Sequence, residues 1–122
     1  MKIGYDAKRA LNNNSGLGNY SRYIIHSAAS FSEHQLFLFS PKAEQRHHDE
    51  LNQLSSVQMV APQSKKRLVG AYWRSFGQVK DIKKLELDVF HGLSNELPLS
   101  IKKSSVAKVV TIHDLIFLRF LN

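Results

Sequence analysis

The chain contains no cysteine. That excludes thiol catalysis, disulfide bonds and zinc sites built on thiolates, and it suits a reducing compartment. No apolar run is long enough to span a membrane. At the amino terminus Asp6 interrupts Met1-Lys2-Ile3-Gly4-Tyr5 before a signal-peptide core can form, so the expected location is the cytoplasm. Internal repeats, low-complexity tracts and interdomain linkers are missing too. No serine occupies a nucleophile elbow and no phosphate-loop spacing occurs, which removes the usual support for hydrolase and NTPase readings. Only three prolines are present, and two of them, Pro41 and Pro62, come directly after apolar runs that read as strands.

What the chain does have is the composition of an ordinary globular domain, with 122 residues, 43% hydrophobic and 22% charged. A chain of this length buries about two thirds of its unfolded surface without metal or disulfide staples. Its formal charge of +7 is concentrated: Lys65 to Lys84 holds seven basic residues against the single acid Asp81. The plain reading of this run is a solvated helix face. The functional one is contact with phosphate or with the anionic headgroups of a membrane. Nucleic acid is not expected, since no recognised nucleic-acid module is present.

Periodicity sets the organisation. Lys2–Ala7 reads as a first strand and Lys8–Ser15 as a polar turn. Leu17, Tyr20, Ile24, Ala28 and Phe31 then recur at helical spacing, so Gly16-Leu17-Gly18 opens a helix that ends near Ser30. Gln35–Ser40 and Val57–Val60 are the second and third strands, flanking a polar helix over Glu44–Leu54. Val69, Tyr72, Trp73, Phe76, Val79 and Ile82 trace one face of a longer helix, with Arg74 and the lysines opposite. Val89–His91 is the fourth strand and Lys108–His113 the fifth. The pattern predicts an α/β, Rossmann-like fold with a predominantly parallel sheet and helices on both faces.

Two of these strands end on histidine, Val89-Phe90-His91 and Val109-Val110-Thr111-Ile112-His113. In open α/β sheets the chemistry lies at the carboxyl ends of the strands. His91 and His113 are therefore candidates for hydrogen bonding to a polar ligand or for proton transfer, as well as for a structural role. Asp114 could orient the imidazole, bind a sugar hydroxyl or cap the next turn. Glu96, in Ser94-Asn95-Glu96-Leu97-Pro98, is the remaining acid near this edge. No tight ligand spacing supports a metal site. Gly16-Leu17-Gly18-Asn19-Tyr20-Ser21 imitates the dinucleotide fingerprint but has Ser21 in place of the third glycine, and Leu38-Phe39-Ser40 lacks the acid that would hold a ribose. An NAD-dependent oxidoreductase is thereby disfavoured. A helix amino terminus with free N–H groups remains, suited to a phosphate or a carboxylate.

Four segments occur in the order seen in one family: Ile3-Gly4-Tyr5-Asp6-Ala7, Ser15-Gly16-Leu17-Gly18-Asn19-Tyr20-Ser21-Arg22, Val89-Phe90-His91-Gly92-Leu93-Ser94-Asn95-Glu96-Leu97-Pro98 and Val109-Val110-Thr111-Ile112-His113-Asp114-Leu115-Ile116. At these residues the chain resembles the amino-terminal domain of GT-B glycosyltransferases of retaining family 4, which includes mannosyl- and glucosyltransferases. The resemblance implies transfer of a sugar from a nucleotide-sugar donor to a glycan or lipid-linked acceptor, with retention of configuration, across a cleft between two Rossmann-like domains. It places Gly16, Leu17 and Gly18 against the donor phosphates, His113 and Asp114 at the donor sugar as catalytic residues, and His91, Asn95 and Glu96 on the acceptor side. It implies no cofactor and no metal, the nucleotide sugar being a substrate.

The family's second domain, with its basic pair and paired glutamates, is not found in this sequence. The expectation is a partial amino-terminal, acceptor-side domain over residues 1–122, inactive by itself, with its exposed interdomain face able to form homodimers. Peripheral contact with the inner face of a membrane is a further implication, from the family's lipid-linked acceptors. The reading from another class is a non-catalytic α/β ligand-binding module.

Overall fold

The computed structural model describes residues 1–31, 33–41, 46–62 and 72–113, apart from the side chains of residues 74, 75 and 103. Asp114, the apolar stretch after it, Val69 and the basic cluster at 65–67 lie outside the described residues. In chain order the elements are strand β1 (Lys2–Asp6), helix α1 (Lys8–Asn12), helix α2 (Gly16–Ala29), strand β2 (Gln35–Phe39), helix α3 (His48–Asn52) and strand β3 (Val57–Val60). A wide π-type turn (Trp73–Gly77) then leads into helix α4 (Gln78–Leu85), and strand β4 (Val89–Gly92), a 3₁₀ turn (Leu99–Lys103) and strand β5 (Ala107–Val110) complete the order. The five strands form one sheet in the order β3-β2-β1-β4-β5, and every pair is parallel. This is the α/β Rossmann-like architecture expected from the alternation of strand and helix periods.

Each face of the sheet carries its own core. Along β2, Leu36 and Leu38 point to one side and Phe37 and Phe39 to the other, as the two-residue strand period requires. The first side collects Tyr5, Ala10, Leu11, Ile25, Leu51 and Leu93 under α1, α2 and α3. The second collects Trp73, Val79, Ile82, Leu87, Phe90, Ile101 and Val106.

Gly4 of the central strand makes the second core possible. A Cβ there would stand 2.6 Å from Leu87 Cδ1 and 2.9 Å from Phe90 Cδ2. Without one, Phe39 from β2 and Phe90 from β4 meet edge-to-face, with centroids 5.4 Å apart. Trp73 stacks on Phe39 at 6.1 Å.

Four sequence expectations are corrected. Lys8–Asn12 is a helix rather than a polar turn: Ala10 and Leu11 are fully buried and anchor it to the sheet. The described part of the Glu44–Leu54 helix is confined to His48–Asn52. The fifth strand stops at Val110 rather than running on to His113; it is the sheet edge, and all four of its residues are exposed.

The fourth correction concerns Tyr72 and Phe76, expected to pack inward but 61% and 47% exposed. At roughly 100° per residue, a straight helix would put Trp73 on the side of Phe76 and Lys84. The π-type turn takes in an extra residue and rotates α4 by about that angle relative to the turn before it. Trp73 then lines up with the buried Gln78, Val79 and Ile82, and Tyr72, Phe76, Lys80, Lys83 and Lys84 face outward. Trp73 Nε1–H donates to Asp81 Oδ2 at 2.9 Å, which secures the rotated register.

Helix α2 is also turned relative to its apolar stripe. Its deepest residues are Gly18, Ser21, Arg22 and Ile25, while Phe31 is exposed. Small residues allow α2 to approach α1 closely, and Arg22 reaches the carbonyl-rich end of α1. Its Nη1 donates to Ala10 O at 3.0 Å and Asn13 O at 2.7 Å, and its Nη2 to Asn19 Oδ1 at 2.6 Å. A cation at a helix carboxyl end is electrostatically well placed.

If the Phe39 contacts unite β2, β1 and β4, Phe39→Ala should lower the unfolding free energy by about 3–5 kcal/mol. Val109→Ala on the exposed edge should cost about 1 kcal/mol or less. Urea denaturation of the two variants measures both, and equal losses would refute the assignment.

Candidate functional site

The carboxyl ends of β4 and β5 are joined by a short hydrogen-bonded ladder beyond the sheet. Thr111 N–H donates to Gly92 O and Asn95 N–H to Thr111 O, both at 2.9 Å. Asn95 occupies the left-handed region with φ 64°, a conformation that asparagine tolerates better than most residues. The loop folds tightly over Gly92, where a Cβ would lie 1.9 Å from Glu96 O. Any side chain at that position would push the loop away from the strand end.

This ladder gathers polar side chains. The Thr111 hydroxyl lies 2.7 Å from His91 Nε2 and 3.3 Å from the Tyr20 hydroxyl of α2. Asn95 Oδ1 accepts the His113 N–H at 2.9 Å, and His113 Nε2 lies 2.6 Å from Leu93 O. The His113 ring meets Tyr20 edge-on at 4.8 Å, and His91 lies 5.6 Å from the Tyr5 ring. A carbonyl oxygen can only accept, so Nε2 of His113 carries a proton. In the neutral ring, Nδ1 is then the basic atom left for a ligand. Burial holds the His91 pKa below its ordinary 6.5, which favours the neutral imidazole.

Three of the sequence candidates, His91, Asn95 and His113, thus belong to one cluster. Asp114 lies outside the described residues. Gly16, Leu17 and Gly18 form the first turn of α2, with Tyr20 a turn further along, so that end of the helix borders the same edge. The amides there are partly engaged: Asn13 Oδ1 accepts Ser15 N–H at 2.8 Å and Gly18 N–H at 3.1 Å. Gly18 is needed because a Cβ would fall 1.8 Å from Asn13 O, whereas Gly16 faces open space. Glu96 lines a notch with Asp6, Lys8, Arg9 and Ser94. Among the described residues no three histidine, aspartate or glutamate side chains converge closely enough to hold a metal ion.

Sequence reasoning missed Thr111 and Tyr20 as members of the site. Thr111 shares strand parity with His113, a signal that two-residue alternation offers. Tyr20 falls in an apolar helix stripe by spacing, and spacing says nothing of where its hydroxyl goes. No family model matches the chain, and comparison with the curated proteins and with solved structures likewise finds no match.

The lowered His91 pKa has a defined consequence for stability. The unfolded chain takes up this proton more readily than the folded one, so the contribution is complete above the unfolded value and is lost as pH falls through the folded one. Between about pH 7 and pH 5, urea-measured stability should therefore fall less steeply in His91→Gln than in the parent chain. Parallel profiles would show that His91 is not the titrating group.

Proposed function

We propose that this chain is the acceptor-side domain of a retaining glycosyltransferase that moves a sugar from a nucleotide-sugar donor to a glycan or lipid-linked acceptor. The observation that carries the reading is the convergence of His91, Thr111, Tyr20 and His113 where two parallel strands end, beside the first turn of α2. In this proposal Nδ1 of His113 faces the donor sugar, and Asp114 is the second catalytic residue. Backbone N–H groups of Gly16, Leu17 and Gly18 face the diphosphate and stabilise the charge that develops as the nucleotide leaves. Asn13 then yields the Gly18 amide to a phosphate oxygen. His91, Asn95 and Glu96 line the acceptor side, and a second Rossmann-like domain supplies the donor's base and ribose contacts.

In the full-length product of the reading frame, His113→Ala should lower sugar transfer from uridine- or guanosine-diphosphate sugars by about 100-fold or more while the protein stays folded. Undiminished transfer would remove the catalytic role. No transfer by the parent protein with any such donor would leave the binding-module reading in its place.

The same proposal gives the basic helix a partner. Tyr72 and Phe76 are outward, with ring centroids 5.5 Å apart, and Lys80, Lys83 and Lys84 continue the exposed face. Aromatic rings bordered by lysines suit the headgroup layer of an anionic membrane. The contact proposed is peripheral; among the described residues no helix is long and apolar enough to cross a membrane. Co-sedimentation with phosphatidylglycerol vesicles should weaken with salt and fall about 5-fold for each of Lys80→Glu and Lys84→Glu. Binding indifferent to lipid charge and salt would refute it.

A further inference from the structure

Thr111 Oγ1 stands between two partners, 2.7 Å from His91 Nε2 and 3.3 Å from the Tyr20 hydroxyl. A threonine hydroxyl has one proton, so when it donates to one neighbour it accepts from the other. Two chains of hydrogen bonds satisfy that rule. In the first, Tyr20 donates to Thr111 and Thr111 donates to a bare Nε2, which leaves the imidazole proton on Nδ1. In the second the direction is reversed: Nε2–H donates to Thr111, Thr111 donates to the phenol oxygen, and Nδ1 is bare.

The chemistry of the three groups separates these chains. A phenol is the more acidic of the two hydroxyls, and its oxygen is the poorer acceptor because a lone pair is shared with the ring. A bare imidazole nitrogen is a stronger acceptor than either oxygen. The first chain sends each proton towards the better acceptor, and hydrogen bonds aligned in this way polarise one another. The second spends the Thr111 proton on the phenol oxygen and leaves the phenol proton without a partner among the described residues. The separation of 2.7 Å is usual for a bond donated by a hydroxyl and lies at the short limit for one donated by an N–H. Burial favours the neutral His91 ring, in which one nitrogen is bare.

The other nitrogen of His91 is open to a ligand. The residue is half-buried, and among the described residues its Nδ1 has no hydrogen-bond partner. Nor is Nδ1 one of the sealed, unpartnered polar atoms, which among those residues are Ser94 Oγ and Gln78 Oε1. It therefore keeps contact with solvent. His113 has the opposite assignment, since its Nε2–H donates to Leu93 O at 2.6 Å and Nδ1 is bare.

We infer that Thr111 is the positioning residue of this cluster, fixing His91 as the Nδ1–H tautomer so that His91 offers a ligand a donor where His113 offers an acceptor. The two histidines are then not interchangeable. His91 cannot take up a proton at Nε2 without reversing the whole chain, and Nδ1 of His113 is the free base of the pair. That the His91 donor meets a hydroxyl oxygen of the sugar acceptor rests on the glycosyl-transfer reading; the tautomer does not.

Long-range proton–nitrogen correlation spectra of the isotope-labelled chain, recorded at about pH 8 where the imidazoles are neutral, read both tautomers. His91 should show a protonated Nδ1 and a bare Nε2, and His113 the reverse. Thr111→Ala should lower the ratio of Nδ1–H to Nε2–H in His91 by about 3- to 10-fold, the worth of one hydrogen bond. Thr111→Ser keeps the hydroxyl and should restore the ratio, which separates loss of the bond from loss of the fold. Tyr20→Phe should move the ratio in the same direction by less, because Thr111 can still donate. His91 protonated on Nε2 in the parent chain would overturn the inference, even where Thr111→Ala does not fold, and so would an unchanged ratio in a folded Thr111→Ala. The expected tautomers without sugar transfer by the full-length protein would defeat the functional proposal alone. Sugar transfer by a protein whose His91 is protonated on Nε2 would defeat the tautomer assignment alone.

Discussion

The contact between Phe39 and Phe90 across Gly4 holds the centre of this molecule. A parallel sheet needs both faces covered, and on one of them the cover is built on these rings and the Trp73 ring stacked on Phe39. The central strand offers only hydrogen atoms at Gly4, so aromatic residues from its two neighbours close over it. β1 and β4, which flank the switch point, are joined by their own backbone ladder, and this contact covers that pair from one face.

The carboxyl edge of the sheet is organised by small hydrogen-bonded devices. Thr111 stands between His91 and Tyr20 and bonds through its backbone to Gly92 and Asn95, so strand, loop and helix share one residue. Asn95 spends its side chain on the His113 amide while its own backbone takes the left-handed turn. Arg22 performs a similar task one layer back, tying the end of α1 and the Asn13 carbonyl to α2. Charged and polar groups in such positions are stable because each finds a partner. Ser94 Oγ and Gln78 Oε1 are buried and find none among the described residues.

The basic helix shows how a local irregularity changes the meaning of a sequence pattern. Tyr72, Phe76 and Val79 have the spacing of an inward stripe, yet the wide turn over Trp73–Gly77 gives the inward place to Trp73. Gly77 allows this, since a Cβ there would come within 2.7 Å of the Trp73 ring. The outward aromatics and lysines are then a property of the turn as much as of the residues.

Element types and their order were legible in the chain because they rest on short-range periods: alternation in Gln35–Phe39, helical recurrence after Gly16, prolines after strands. The placement of His91 near the end of its strand was legible for the same reason, whereas His113 lies beyond the end of β5 at Val110. Strand order was not, and with it went the exposure of β5, whose valines read as buried in isolation. Nor could spacing reveal that Glu96 would meet Asp6, Lys8 and Arg9 in one notch, since those residues come together only when β1 and β4 become neighbours. Local backbone preference and hydrophobic period are written residue by residue, so the sequence alone determines the alternating α/β elements and the polar ends of its strands. Which polar ends share a crevice, and which helix face is left to solvent, depends on long-range pairing and on an extra residue in one turn, and only the tertiary structure decides them.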